Sequence, residues 1–150
     1  MRKGFGLLQA LLVIVLISGI MMIAMKYATV SIKQTKDLYI RESAELFMNS
    51  AVELSLLAIQ GYERNATSGC LHEVNITSSD QRFRADVNIS KYYLLEGSED
   101  CGYCGSLCKP IQTEDSHGMV MLEVTVESNA TNPKNGKTKV KLYRRTLQRP

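Results

Sequence analysis

The stretch FGLLQALLVIVLISGIMMIAM, residues 5–25, decides the fold because it contains 21 residues and no charge. As an α-helix rising about 1.5 Å per residue, it would be about 31 Å long, which matches the hydrocarbon core of a bilayer. A cleavable secretory signal has a shorter apolar region, about 7–15 residues, that ends in a small-x-small site. The sequence Ile23-Ala24-Met25-Lys26 is a poor site of that kind. We therefore expect a helix that stays in the mature chain and crosses a membrane once.

The residues after this run predict a second, amphipathic half of the same helix, over 26–60. No glycine occurs between Gly19 and Gly61, so no helix breaker interrupts the segment. Apolar residues recur at spacings of four, three and four, which places one stripe on a helix. These residues are Phe47, Ala51, Leu54 and Ala58. Gly61 is the expected stop.

The rest of the chain, 61–150, predicts a small domain of strands and loops. Alternating apolar residues predict strands over 83–94, 119–126 and 138–147, the last two forming a hairpin. The segment 97–110 is rich in glycine and cysteine and predicts a loop. The expected fold class is α+β: one long N-terminal helix, a small antiparallel β-sheet and a disulfide-stapled loop.

Four cysteines follow the apolar run, and in an oxidising compartment they predict two disulfides with three open connectivities. They are Cys70, Cys101, Cys104 and Cys108. The pair Cys101 and Cys104 has the CxxC spacing of thiol oxidoreductases, although no strand precedes it and no helix pattern follows it. Zinc binding by four thiolates is the other alternative, but the spacing lacks two paired knuckles. We expect structural disulfides, no metal and no cofactor.

Four N-x-[ST] sequons occur in the same part of the chain, at Asn65, Asn75, Asn88 and Asn129. An acidic residue lies two positions before each asparagine: Glu63, Glu73, Asp86 and Glu127. Since acids are 15 of 150 residues, chance gives about 0.1 per site, or roughly 10⁻⁴ for all four motifs. These stretches resemble the extended acceptor of the bacterial N-glycosylation pathway of epsilonproteobacteria, which works in the periplasm. We expect glycans here, on loops or strand edges; the alternative is unmodified asparagine in loops.

The N-terminus, Lys3-Gly4-Phe5 followed directly by the apolar helix, resembles the type IV pilin and type II secretion pseudopilin family. The resemblance is specific over residues 1–28 and general in architecture over the rest. It implies that residues 1–4 are a leader. A prepilin peptidase would cut between Gly4 and Phe5 on the cytoplasmic side of the membrane and methylate the new amino terminus. The apolar helix would then serve first as an anchor and later as the assembly end in a filament core.

Two positions depart from the pattern of that family. The residue after the phenylalanine is usually a hydroxyl residue, and here it is Gly6. The fifth mature residue is usually a glutamate thought to pair with the amino terminus of an adjacent subunit, and here it is Gln9. An amide forms hydrogen bonds but cannot neutralise a charge, and a buried unpaired ammonium is costly. Gln9 therefore indicates a minor pseudopilin rather than a repeating shaft subunit.

The C-terminal segment from Lys134 to Pro150 contains seven basic residues and no acid. On a strand, one face would carry four consecutive alternate positions: Lys139, Lys141, Tyr143 and Arg145. A basic stripe with an aromatic residue is typical of non-specific DNA contact. The alternative is the solvated face of an edge strand that lysines protect against pairing.

The sequence thus predicts a minor pseudopilin, structural rather than enzymatic, in a type II secretion-like pseudopilus for DNA uptake in natural transformation. The alternatives are a subunit of a protein-secreting system or type IV pilus, a membrane-tethered thiol oxidoreductase, and a plain single-pass anchor. Expected partners are the prepilin peptidase, other pseudopilins, an oligosaccharyltransferase, the inner membrane, indirectly the secretion platform and ATPase, and DNA as a candidate. The expected topology is single-pass in the inner membrane, with a cytoplasmic N-terminus, a periplasmic C-terminal domain and a periplasmic filament after assembly.

Overall fold

The structure, a computed structural model, describes residues 5–112, 118–129, 131–132, 135 and 138–150, without the side chain of Phe5. The chain forms two compact units, residues 1–39 and residues 40–150. The helices are α1 (Phe5–Gly61) and α2 (Glu99–Cys104), and a 3₁₀ turn follows at Gly105–Leu107. The strands are β1 (Glu73–Thr77), β2 (Phe83–Leu95), β3 (Cys108–Ile111), β4 (Met119–Ser128) and β5 (Lys141–Gln148).

The N-terminal unit is the first part of α1, and its apolar side chains face outward. All its large aliphatic residues from Leu7 to Met25 are exposed. The most apolar 18-residue window has a mean hydropathy of 2.7, and none of it is buried within the structure. By length and composition this helix is a candidate membrane span, as the sequence predicts.

In the C-terminal unit, the strands form one sheet in the order β1-β2-β4-β5, and all three of these neighbouring pairs are antiparallel. β4 pairs along almost the whole length of β2, from Phe83 with Ser128 to Tyr93 with Met119. β5 returns beside β4 as the second strand of the predicted hairpin, although it begins at Lys141, three residues later than expected. The small antiparallel sheet expected from the sequence is therefore confirmed.

The segment 97–110 corrects the sequence prediction, because it is not a plain loop. It contains α2, the 3₁₀ turn and most of β3. β3 pairs in parallel with the second half of β2, from Tyr92 with Cys108 to Leu95 with Ile111. β1, which the sequence did not predict, pairs with the first half of β2 on the same side. Both strands are five residues or shorter, so alternation alone gives too few positions to identify them.

The core lies between the sheet and the part of α1 that starts at Ile40. The inner face of β4 is fully buried at the four alternate positions that the sequence predicts: Val120, Leu122, Val124 and Val126. From the helix, the rings of Phe47 and Phe83 stack with centroids 6.0 Å apart. Phe83 begins β2. This contact joins the helix to the first residue of an internal strand of the sheet.

The buried face of α1 is rotated relative to the predicted stripe. Leu54 was expected inside and is 49% exposed. The buried helix positions are Ile40, Ala44, Met48, Ala51, Val52, Ser55 and Ile59. Ala44, Ala51 and Ser55 are small, and small residues let a helix lie close to a sheet. The buried Ser55 hydroxyl donates to Ala51 O at 2.7 Å, so it needs no partner outside the helix. The predicted stripe shares Ala51 with the buried face, but its other positions lie one residue too early, since Met48, Val52, Ser55 and Ile59 are buried.

Candidate functional site

The N-terminal processing positions lie at the boundary of the described residues. Gly4 lies outside them, and α1 begins at Phe5. Gln9 is an exposed residue of α1, one turn inside its start. A neutral amide at this position carries no charge into an apolar surface. The structure is therefore consistent with residues 5–25 forming one apolar helical surface, interrupted at its start by a single amide.

Small residues on the apolar part of α1 leave room for a neighbouring helix. Apart from its sequence neighbours and the backbone of its own helical turns, a Cβ built on Gly6 or Gly19 would meet no atom within 4 Å. The Ser18 hydroxyl donates to Val15 O at 2.9 Å, so its donor is satisfied within the helix. Small residues and internally paired hydroxyls are the features that allow helices to pack closely in lipid.

The four cysteines form two disulfides, as predicted, and the structure selects one of the three connectivities. Cys70 bonds to Cys104, with Cα atoms 4.9 Å apart, and Cys101 bonds to Cys108, with Cα atoms 5.4 Å apart. Cys101 and Cys104 both lie on α2. The CxxC pair therefore does not form its own disulfide, whereas the oxidised form of a CxxC thiol oxidoreductase joins those two sulfurs. This geometry favours a structural role for the cysteines.

The disulfides fix a polar contact beneath α2. Arg64 donates to Asp100 at 3.1 Å and lies 5.5 Å from the centroid of the Tyr92 ring. Tyr92 is fully buried, and its hydroxyl donates to Leu71 O at 2.8 Å. Burial raises the pKa of Tyr92 to about 12, with the Arg64 charge acting in the opposite direction. The segment after α1 is thus held to α2 by one disulfide and one ion pair, and to β2 by the buried hydroxyl of Tyr92.

All four sequon asparagines are exposed, but their backbone settings differ. Asn65 lies in a turn, and Asn75 lies on the edge strand β1. Asn129 follows the end of β4. Asn88 differs from the expectation of a loop or edge, because it lies on β2 with Glu73 of β1 on one side and Glu123 of β4 on the other.

Of the four residues of the predicted basic stripe, Lys141, Tyr143 and Arg145 lie at exposed alternate positions of β5. Lys139 is exposed but precedes β5. Tyr143 is 62% exposed on the outer face of β5.

Two of the predicted DNA-contacting residues are matched to carboxylates of the neighbouring strand. Lys141 forms an ion pair with Glu127, and Arg145 lies 3.5 Å from Glu123. The hydrogen bond between Lys141 and Glu127 lowers the pKa of the Glu127 carboxyl and raises the pKa of the Lys141 ammonium. The outer face of β4 and β5 is therefore largely charge-balanced, which weakens its attraction for phosphates.

Sequence reasoning missed an asparagine clamp, formed by Asn129, Asn132 and Asn135. Their side-chain amides donate to three consecutive carbonyls of the β1–β2 turn: Asn132 to Asp80 O at 3.0 Å, Asn129 to Gln81 O at 3.1 Å and Asn135 to Arg82 O at 2.8 Å. Asn135 is fully buried, and its Oδ1 accepts from Arg82 Nε at 3.0 Å. The only signal in the sequence is three asparagines at intervals of three, the first of them in a sequon. The clamp joins the β4–β5 connection to the opposite turn.

Comparisons with protein-family models, with curated proteins and with solved structures found no match to this chain.

Proposed function

We propose that this chain is a minor pseudopilin, a structural subunit that its N-terminal helix anchors in the inner membrane. After processing, it assembles into a type II secretion-like pseudopilus. The observation that carries the proposal is helix α1. Between Leu7 and Met25 its large apolar side chains are all exposed, and from Ile40 onward it buries one face against an antiparallel sheet. This combination is the one that the resemblance of the N-terminus to pseudopilins implies.

The exposed apolar part of α1 has to be covered by something other than water. Each fully exposed leucine or isoleucine costs about 1.5–3 kcal/mol relative to burial, so a bare helix of this composition would not remain in solution. Lipid covers it in the membrane, and neighbouring helices cover it in a filament. Gly6 and Gly19 leave open space on that surface, which suits close helix packing.

Gln9 assigns the subunit to a minor position. A shaft subunit would place a carboxylate here to neutralise the amino terminus of its neighbour. An amide leaves that ammonium unpaired in an apolar interface, and such a charge is expensive. A subunit without the carboxylate fits where no such neighbour has to be neutralised, as at a filament tip.

For the cargo of the system we propose DNA, with this subunit acting in assembly rather than as the main DNA receptor. Lys141 and Arg145 already face Glu127 and Glu123. The alternative cargo is a secreted protein. In the source bacterium, deletion of the gene should abolish natural transformation and leave the secreted proteins unchanged. Loss of protein secretion with normal transformation would select the alternative.

The processing step gives a direct test in a heterologous host. The full chain is co-produced with a prepilin peptidase, and its intact mass is measured with and without the enzyme. The proposal expects removal of residues 1–4 and addition of one methyl group. A Gly4→Arg variant serves as the control and should remain full length. A wild-type chain that stays uncut beside a processed known substrate would contradict the proposal.

A further inference from the structure

The turn between α1 and Cys70 holds the side chain of Asn65 in one orientation. Asn65 Oδ1 accepts hydrogen bonds from Thr67 N at 3.0 Å, Ser68 N at 2.7 Å and Ser68 Oγ at 2.8 Å. Gly69 N donates to Asn65 O at 2.9 Å and closes the turn. Because Cys70 is bonded to Cys104, the end of the turn is tied to α2. The Asn65 side chain is therefore both fixed and exposed.

The nitrogen of the Asn65 amide is unengaged. Within the described part of the chain, no group accepts a hydrogen bond from Nδ2, whereas Oδ1 accepts three. Nδ2 is the atom to which an N-linked glycan is attached. The turn thus occupies the oxygen of the amide and leaves the reactive nitrogen toward solvent.

The acidic residue two positions earlier is also unengaged at this sequon and engaged at the others. Among the described residues, no side chain pairs with the exposed carboxylate of Glu63. By contrast, Glu73 Oε1 accepts from Asn75 Nδ2 at 3.1 Å, and Asp86 Oδ1 accepts from Arg84 Nε at 2.9 Å. Glu127 is paired with Lys141. A transferase that recognises this carboxylate finds it free only beside Asn65.

The other three asparagines are held by the fold. Asn75 Nδ2 donates to Glu73, and Asn129 Nδ2 donates to Gln81 O at 3.1 Å as part of the asparagine clamp. Asn88 lies on β2, whose backbone is paired with β1 and with β4. Seating Asn75 or Asn129 in an enzyme requires a broken hydrogen bond, and seating Asn88 requires local opening of the sheet.

We propose that Asn65 is the preferred site of N-glycosylation in the folded chain. The donor is an oligosaccharide linked through pyrophosphate to a lipid. Asn65 Nδ2 forms a bond to the anomeric carbon while the bond from that carbon to the pyrophosphate oxygen breaks. The lipid pyrophosphate leaves with the electron pair, and the amide gives up one proton to a base of the transferase. The proposal is independent of pilus assembly and requires only that the turn faces the periplasm.

The test uses the purified full chain, oxidised and in detergent, with a purified bacterial oligosaccharyltransferase and a lipid-pyrophosphate-linked oligosaccharide. Peptide mass spectrometry measures the initial rate of glycan addition at each of the four asparagines. Thr67→Ala removes the sequon and keeps every contact of Asn65, because the turn uses only the backbone N–H of Thr67. Thr77→Ala and Ser90→Ala are the matched controls, since they remove the sequons of Asn75 and Asn88. Four short peptides, one for each sequon, report the preference without the fold.

The proposal expects the initial rate at Asn65 to exceed each other rate by about tenfold or more, as the loss of one or more hydrogen bonds at the other sites implies. Thr67→Ala should abolish most of the total modification, and the two control variants should leave it unchanged. An equal or faster rate at another asparagine overturns the proposal, as does the same preference among the four short peptides. Absence of glycan at all four sites, beside a modified reference peptide, overturns it too.

Discussion

Cys104 is bonded to Cys70, 34 positions earlier in the chain, and not to Cys101, which lies one helical turn away. Cys101 is bonded forward to Cys108, seven positions later. The two disulfides therefore tie α2 in two directions, to the segment after α1 and to β3. This arrangement lets the two disulfides brace the loop region. Because they close loops of different length, they should contribute differently to the free energy of unfolding.

Loss of the long-range disulfide should destabilise the protein more than loss of the short-range one. A disulfide stabilises the fold by reducing the conformational entropy of the unfolded chain, and the effect grows with the length of the loop that it closes. The loop of about 35 residues closed by Cys70–Cys104 predicts about 4 kcal/mol of stabilisation, and the loop of about 8 residues closed by Cys101–Cys108 predicts about 2–3 kcal/mol. Cys70→Ser/Cys104→Ser should therefore lower the denaturation midpoint of the full chain more than Cys101→Ser/Cys108→Ser. Urea unfolding followed by circular dichroism measures both. Equal midpoints for the two double variants would contradict the assignment.

Removal of the buried member of the asparagine clamp should be costly. Asn135→Ala removes three hydrogen bonds: those from Nδ2 to Arg82 O and Asn129 O, and the one from Arg82 Nε to Oδ1. The two carbonyls each keep one backbone donor. Each lost hydrogen bond contributes about 0.5–1.5 kcal/mol, so the free energy of unfolding should fall by about 2–4 kcal/mol in total. Asn132→Ala is the matched control and should cost less, because Asn132 is partly exposed. Urea unfolding measures both variants. If Asn135→Ala lowers the free energy of unfolding by less than Asn132→Ala does, the clamp does not hold the β4–β5 connection.

Tyr92 should make the stability of the fold depend on pH in the alkaline range. Its pKa is about 12 in the folded chain, above the ordinary value of 10.0, because burial disfavours the ionised ring. The folded state then keeps a proton that the unfolded state loses, so the free energy of unfolding should fall as pH rises from about 10 to about 12.

Tyr92→Phe tests this pH dependence. The variant should be less stable at neutral pH by about 1–2 kcal/mol, because Leu71 O loses its donor. Its stability should then change less between pH 10 and 12 than that of the wild type. Parallel curves for the two proteins over that range would contradict the assignment.

The ion pairs on the outer sheet face predict weak binding of DNA by β5. The Glu123→Gln/Glu127→Gln variant releases Arg145 and Lys141 from their partners and raises the net charge. We expect it to bind double-stranded DNA more tightly than the wild type at low salt, with a steeper loss of affinity as salt rises. Lys141→Ala/Arg145→Ala should change wild-type binding little. A large loss of affinity in that second variant would show that the pair of basic residues does contact DNA.

Replacing Gln9 with glutamate should change the position of the subunit in the proposed filament. The carboxylate could neutralise the amino terminus of a neighbour, which the amide cannot do. We expect Gln9→Glu to be recovered with the shaft subunits in sheared filaments, at a higher ratio than the wild type. Gln9→Met is the control of similar size without charge. The same ratio for all three forms would remove the charge argument for a minor position.

The parts of the fold that the sequence predicted are those with long periodic patterns. The helix ends at Gly61, within one residue of the prediction, and β4 buries the four apolar positions expected from alternation. The β2–β3 pair was missed because β3 has four residues. The cysteine pairing could not be predicted, because it depends on α2 bringing Cys104 beside Cys70.

The candidate sites were likewise predictable only in their residue types. The sequons and the basic stripe were visible as residue types, but their partners were not. Turn geometry and strand register decide these partners. Glu73 contacts Asn75 of its own sequon, whereas Glu63 does not contact Asn65, and β5 lies beside the acidic residues of β4. Register sets which side chains meet across a sheet, and no local pattern contains it.

The most direct test of the pseudopilin proposal is the N-terminal peptide of the chain isolated from membranes of its native host. After proteolysis, mass spectrometry identifies the first residue and any methyl group on its nitrogen. The proposal predicts a peptide that begins at Phe5 with an Nα-methyl group. A peptide that begins at Met1, or that starts downstream of Lys26, would contradict it.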